Sequence, residues 1–220
     1  MPALETLAAF FAASVLLCLT PGPDNLFVLL HSAQRGWRAG MCVVLGQCLG
    51  LVGHTAAVAF GLAAVFAAST LAFTLLKWCG AAWLLWLAWG ALRVPLNGAG
   101  ELVASGGRDN VSVPSPVQHE AWRMAGRGMV MNLTNPKVLL FFLALLPQFV
   151  DMARGGMAQQ IMCLGLLFIV ATLLVFGAIA RFSGAFGALL LRSARARLWL
   201  NRVAALVFVG LAMRLATASR

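Results

Sequence analysis

The sequence predicts an all-α integral membrane protein: six transmembrane helices in two three-helix inverted repeats, with helices one and four broken inside the bilayer. Three observations predict it. Of 220 residues, 62% are hydrophobic and only 10% charged, where a soluble domain carries about a quarter charged residues. The apolar residues gather at about 4–31, 39–66, 70–92, 128–150, 159–180 and 199–217, each segment close to the roughly 20 residues a helical span requires. Two of these segments, the first and the fourth, carry proline, asparagine and charge within their apolar run.

The first span is expected to be retained rather than cleaved. Its only early charge is Glu5, no basic region or A-x-A site accompanies the apolar run, and Leu17 is too bulky for lipoprotein cleavage before Cys18. Span two carries Gly46 and Gly50 in a G-x-x-x-G pair, extended by Cys42 and Gly53. That small face suits close helix packing within the chain or in a homodimer. Span three ends at residue 92, and the polar stretch 93–127, rich in Pro, Gly and Ser, reads as a solvated linker ending in a short interfacial helix near Trp122. It divides one membrane transport domain into repeat one, 1–92, and repeat two, 128–220. Three is odd, so the repeats should be inverted relative to one another.

The net charge of +10 does not read as a nucleic-acid surface, because the basic residues form no soluble stripe with aromatics. They lie between the spans. Arg35 and Arg38 follow span one, Arg93, Arg108, Arg123 and Arg127 lie in the linker, and Arg181, Arg192, Arg195 and Arg197 follow span five. The intervening connections hold only Arg154, beside Asp151. This asymmetry puts the odd loops, the linker included, in the cytoplasm and both termini outside, although Arg214 and Arg220 run against it. The cysteines (18, 42, 48, 79 and 163) all sit in apolar segments with no C-x-x-C pair, which argues against thiol-redox or zinc sites. No phosphate-binding G-x-x-x-x-G-K-[ST] loop and no nucleophile motif is present, so an enzyme is not expected and transport would be ion-coupled, downhill or powered by a partner. One charge crossing 100 mV yields about 2.3 kcal/mol, enough for roughly 40- to 50-fold accumulation.

The breaks hold the candidate site. Pro21, Gly22 and Pro23 interrupt span one well inside the hydrocarbon. Prolines remove backbone donors and clash with the preceding turn, and such a break persists only where protein or a water-filled cavity covers it. Asp24 and Asn25 follow, as N-cap residues of a second half-helix. In span four, "MNLTNPKVLLFF" repeats the pattern with Asn132, Asn135, Pro136 and Lys137. Asn135 before proline should leave the helical region, and Pro136 suits the first turn of a restarting helix. Paired interruptions in corresponding spans of two halves point to the binding site of a secondary transporter. A small-solute channel is the rival reading. Gln47 and His54 of span two are second-rank candidates, His54 as a proton relay or a structural hydrogen bond.

"TPGPDNLFVL" and "NLTNPKVLLFFLALLPQFV", with "FTLLKWCGAAWLLWLAWGALR" at 73–93, closely resemble the LysE/RhtB family of bacterial exporters of lysine, homoserine, threonine and related amino acids. The resemblance covers nearly the whole chain. It implies an efflux protein of the bacterial cytoplasmic (inner) membrane, with no cofactor and driven by the proton gradient. The family's motif positions fall on Pro21, Gly22, Pro23, Asp24 and Asn25 and on Asn132, Asn135, Pro136 and Lys137. Gln47 and His54 match less well and would bear on substrate choice. In the chemistry expected here, Lys137 and the half-helix N-termini hold the carboxylate of an amino acid. Asp24 takes its ammonium or the coupling proton, and in the empty site Asp24 and Lys137 pair. A cationic substrate would call for more intramembrane acid than Asp24 alone, which leans the reading toward neutral amino acids.

Overall fold

The computed structural model describes residues 2–20, 22–68, 70–93, 117–151 and 154–183, with further positions scattered between 198 and 216. Pro21, linker residues 94–116 and most of the expected sixth span lie outside the described residues. The others form helices: α1 (Leu4–Leu19), α2 (Pro23–Arg35), α3 (Trp37–Ala68), α4 (Thr70–Arg93), α5 (Val117–Leu133), α6 (Pro136–Leu140) and α7 (Met157–Arg181). A π turn at Phe141–Leu145 and a 3-10 turn at Leu146–Phe149, with Pro147 inside it, continue α6. No strand occurs among the described residues.

Two segments, Trp37–Gly61 and Met157–Arg181, are each long and apolar enough to cross a membrane. The broken pairs make two more when each is taken as one span: α1 and α2 meet at 62°, and Glu120–Leu133 meets Pro136–Phe149 at 51°. α4 coincides with the third span read from the sequence. The outer surface is apolar as well as the core, and several polar side chains are inside. Leu45, Leu49 and Val52 of α3, Trp86 and Trp89 of α4, and Met162 and Leu166 of α7 are exposed, while Ser14, Ser32, Gln47, Asn132 and Thr172 are buried. That pattern fits a lipid surround, where apolar faces need no cover and polar groups must be satisfied inside.

α3 is the axis of the packing, lying against α5 and α7. Gly46 and Gly128 make the α3–α5 approach possible, since a Cβ at Gly46 would land on the Ala125 carbonyl and one at Gly128 on the Val43 carbonyl. The small face of α3 is therefore covered by α5 of the same chain. The short helix expected near Trp122 is longer than the sequence predicts: α5 begins at Val117 and runs unbroken to Leu133, at the second break. The stretch looks polar in sequence because Trp122, Arg123 and Arg127 face outward, but Met124, Gly128 and Asn132, four apart, face inward.

Two contacts join the described ends of the helices that border the basic segments. Arg35 at the end of α2 pairs with Glu120 at the start of α5 at 3.0 Å, and the Arg181 guanidinium at the end of α7 lies 5.9 Å from the Trp37 ring at the start of α3. Gly36, at φ 86°, makes the one-residue turn from α2 into α3.

The glycine contacts generate a prediction. Gly46→Val should push α3 from α5 and destabilise the protein by about 1–3 kcal/mol, lowering its Tm in detergent by several degrees at roughly 2–4 °C per kcal/mol. Gly61→Ala, whose Cβ would meet nothing within 4 Å, should leave Tm unchanged or slightly raised.

Candidate functional site

A helix that stops leaves its last carbonyls without partners, and inside a bilayer no bulk water reaches them. At the end of α1 those carbonyls are taken up one by one. The Leu16 carbonyl accepts from the Thr20 amide at 2.9 Å and the Thr20 hydroxyl at 2.8 Å. The Cys18 carbonyl accepts from Asn25 Nδ2 at 2.7 Å. The Leu17 and Thr20 carbonyls accept from Lys137 Nζ at 3.3 and 3.2 Å. Lys137 belongs to α6, so the second break supplies the donor that closes the first.

The same ammonium pairs with Asp24, at 3.0 Å from Oδ1 and 2.9 Å from Oδ2. Both residues are buried, with 2% of Asp24 and 7% of Lys137 exposed. The structure corrects the capping read from sequence. Gly22 is the N-cap of α2, Pro23 opens the helix, and Asp24 lies in its first turn rather than before it. There a carboxylate is still favoured by the positive end of the helix, and its oxygens are free for Lys137 instead of the backbone. Gly22 is the only size that fits: a Cβ would come within 2.5 Å of Asp24 Oδ1 and 3.0 Å of Lys137 Nζ.

The second break is held by asparagines. Asn135 has left the helical region (φ −76°, ψ 109°), Pro136 opens α6, and Asn135 Oδ1 accepts from the Lys137 amide at 3.0 Å. The Asn132 carbonyl accepts from the Asn135 amide at 3.1 Å and from His54 Nε2 at 3.3 Å. The His54 proton on that bond must therefore be on Nε2, and the ring centroid lies 5.6 Å from that of Phe142. A Cβ at Gly50 would meet Asn132 Oδ1 at 2.6 Å.

Asp24, Lys137 and Asn132 meet in a cavity of about 10 Å³, room for about one water and too small for any amino acid. Leu17, Cys18 and Val138 form its apolar part. Asn25 and Asn135 brace the breaks, while Gln47 and His54 do not line the cavity. His54 acts on it through the Asn132 backbone. Gln47 is wholly buried, and neither of its amide atoms has a partner; Asn25 Oδ1, Asn132 Oδ1 and Asn135 Nδ2 are likewise buried and unpaired.

The third wall, which sequence reasoning missed, comes from α7: Phe168, Thr172 and Phe176. The signal was present. These residues are four apart, and Thr172 is the single hydroxyl in 157–181. Phe168 is fixed by Phe141 and Phe142, at centroid distances of 5.1 and 5.3 Å.

The chain is similar to known translocators. The sequence profile of the LysE type translocators matches residues 15–219. A homoserine/homoserine lactone efflux protein of Salmonella typhimurium is 34% identical over 167 residues, 76% of this chain and 75% of its own. An uncharacterized membrane protein of Vibrio cholerae is 31% identical over 218 residues, 96% of each chain. One from Pseudomonas aeruginosa is 31% identical over 217 residues, 93% of this chain and 92% of its own. No solved structure matches.

The buried pair predicts a thermodynamic cycle. Lys137→Met and Asp24→Asn should each destabilise by about 3–5 kcal/mol, because each leaves a buried partner uncompensated. Lys137→Met should be the worse, as it also strips the Leu17 and Thr20 carbonyls. The double variant should lose clearly less than the sum when unfolding is followed in detergent.

Proposed function

This chain belongs to the LysE type translocator family, and we propose that it is a secondary transporter that exports small neutral amino acids across the bacterial inner membrane in exchange for protons. The observation that carries the proposal is the buried Asp24–Lys137 pair bridging the two broken helices. The homoserine efflux relative supports the substrate class.

An amino acid is a zwitterion, and this site offers a matched set of partners. Its carboxylate takes Lys137, beside the positive end of α2. Its ammonium takes Asp24 and the Leu17 and Thr20 carbonyls that Lys137 gives up. Pair and substrate are each neutral overall, so while Asp24 is ionised neither the empty nor the loaded site strands a charge in the bilayer. The small cavity means that the pair must separate before substrate enters, with movement at the Gly22–Pro23 and Asn135–Pro136 hinges. Protonation of Asp24 from outside releases Lys137 and couples that separation to proton entry. The contact of Arg35 with Glu120 supports the inverted arrangement of the halves, since span one ends where span four begins. Rocking of one inverted half against the other would then expose the site to each side in turn.

Cells overproducing the protein should accumulate one or a few neutral amino acids in the medium. Asp24→Asn, at equal abundance in the membrane, should cut that accumulation at least about tenfold, and an uncoupler should abolish uphill export. A medium identical to that of the empty vector would reject the amino-acid reading. Non-saturable, uncoupler-insensitive efflux would point instead to a channel.

A further inference from the structure

We infer that Thr172 of α7 is the specificity-determining residue of this site, its hydroxyl selecting neutral amino acids with a side-chain hydroxyl over apolar ones of the same shape. The inference rests on the exporter reading and adds the chemistry of the substrate side chain.

Placement comes first. In the cavity wall made by the breaks, Asp24, Lys137 and the α1 carbonyls match the ammonium and carboxylate common to all amino acids. What remains for the side chain is the Asn132 amide and the α7 wall, where Phe168 and Phe176 flank Thr172, the one hydroxyl among the described lining residues. Thr172 is 1% exposed, so whatever its hydroxyl meets is inside the protein.

The second argument is what that hydroxyl does. Ser14, Thr20, Ser32, Thr55 and Thr134 each donate to the carbonyl four residues back, at 2.7–2.8 Å. This is the usual way a helix disposes of a buried hydroxyl. Thr172 behaves differently. Its Oγ1 turns across to Cys18 Sγ at 3.7 Å, a weak partner of either polarity. The hydroxyl thus meets another residue of the cavity lining, in a weak contact that a stronger hydrogen-bonding group would displace.

Charge and size narrow the class. Among the described residues Asp24 is the one carboxylate that lines the cavity, and it is committed to an ammonium, so a cationic side chain finds no counter-charge there. The rings of Phe168 and Phe176 limit bulk. A site that hydrogen-bonds a substrate hydroxyl rejects the analogue lacking it, because the site's own polar group is left unpaired. Here Cys18 gives Thr172 a partial substitute, so discrimination should be moderate, about tenfold.

Inverted membrane vesicles with an imposed proton gradient test this with two isosteric pairs, homoserine against norvaline and threonine against valine. Thr172→Val keeps shape and removes the hydroxyl. It should lower both hydroxyl-to-apolar ratios of initial uptake by about tenfold, and Thr172→Ser should restore them. Cys18→Ala removes the competing partner and should raise the ratios by about twofold or more. Ratios unchanged in a transporting Thr172→Val protein would overturn the inference while leaving the exporter reading intact. If Thr172→Val does not insert stably, unchanged ratios in Cys18→Ala overturn it. Uptake by wild-type vesicles no greater than by Asp24→Asn vesicles would bring down the exporter reading itself, and this inference with it.

Discussion

The Lys137 ammonium lies where two unfavourable conditions meet: a helix end with orphaned carbonyls, and a carboxylate removed from water. Either alone would cost several kcal/mol in a bilayer. Together they share one remedy. A group with three donor protons reaches the Leu17 and Thr20 carbonyls and both oxygens of Asp24 at 2.9–3.3 Å. The extended backbone at Gly22, its lack of a side chain and the placement of Asp24 in the first helical turn all follow from making room for that ammonium.

The packing around this centre serves the same end. α3 approaches α5 until backbone touches side chain at Gly50, which positions Asn132 and lets His54 take the Asn132 carbonyl. Beneath the second break an aromatic cluster joins elements far apart in sequence: Phe10 of α1 lies 5.8 Å from Phe141 and 5.1 Å from Phe149. The π turn at Phe141–Leu145 sits against this cluster. Such turns shift side-chain register within a helix and occur disproportionately at functional sites. Apolar and aromatic packing thus surrounds the two hinges, where Asp24, Asn25, Asn132, Asn135 and Lys137 gather.

Much of this was legible in the sequence, for a definite reason. Proline has the same local consequences wherever it falls, so Asn135–Pro136 foretold an extended residue followed by a helix start, and the structure has both. Charge in an apolar run needs a partner, so Asp24 and Lys137 could be paired without coordinates. What sequence could not supply was the direction of side chains. Thr172 is one hydroxyl among 25 residues of α7, and only the packing shows that it faces the breaks. The polar look of 117–127 suggested only a short interfacial helix and hid its continuity into the second break, because the signal of burial there is spacing, Met124 to Gly128 to Asn132, rather than composition. Asp24 looked like a cap because aspartate commonly caps; its engagement with a lysine in another span overrode that local preference.

The acceptors that Lys137 satisfies precede it in the chain by 113 to 120 residues. At a synthesis rate of about 5–20 residues per second, the lysine emerges roughly 5–25 s after them. The first span is therefore made and delivered before the residue that completes its hydrogen bonding exists. Until then its Leu17 and Thr20 carbonyls and the Asp24 carboxylate depend on water, lipid headgroups or the insertion machinery. The N-terminal half is then not a finished unit awaiting a second one. Its biogenesis is a waiting state, and assembly is complete only when the fourth span docks.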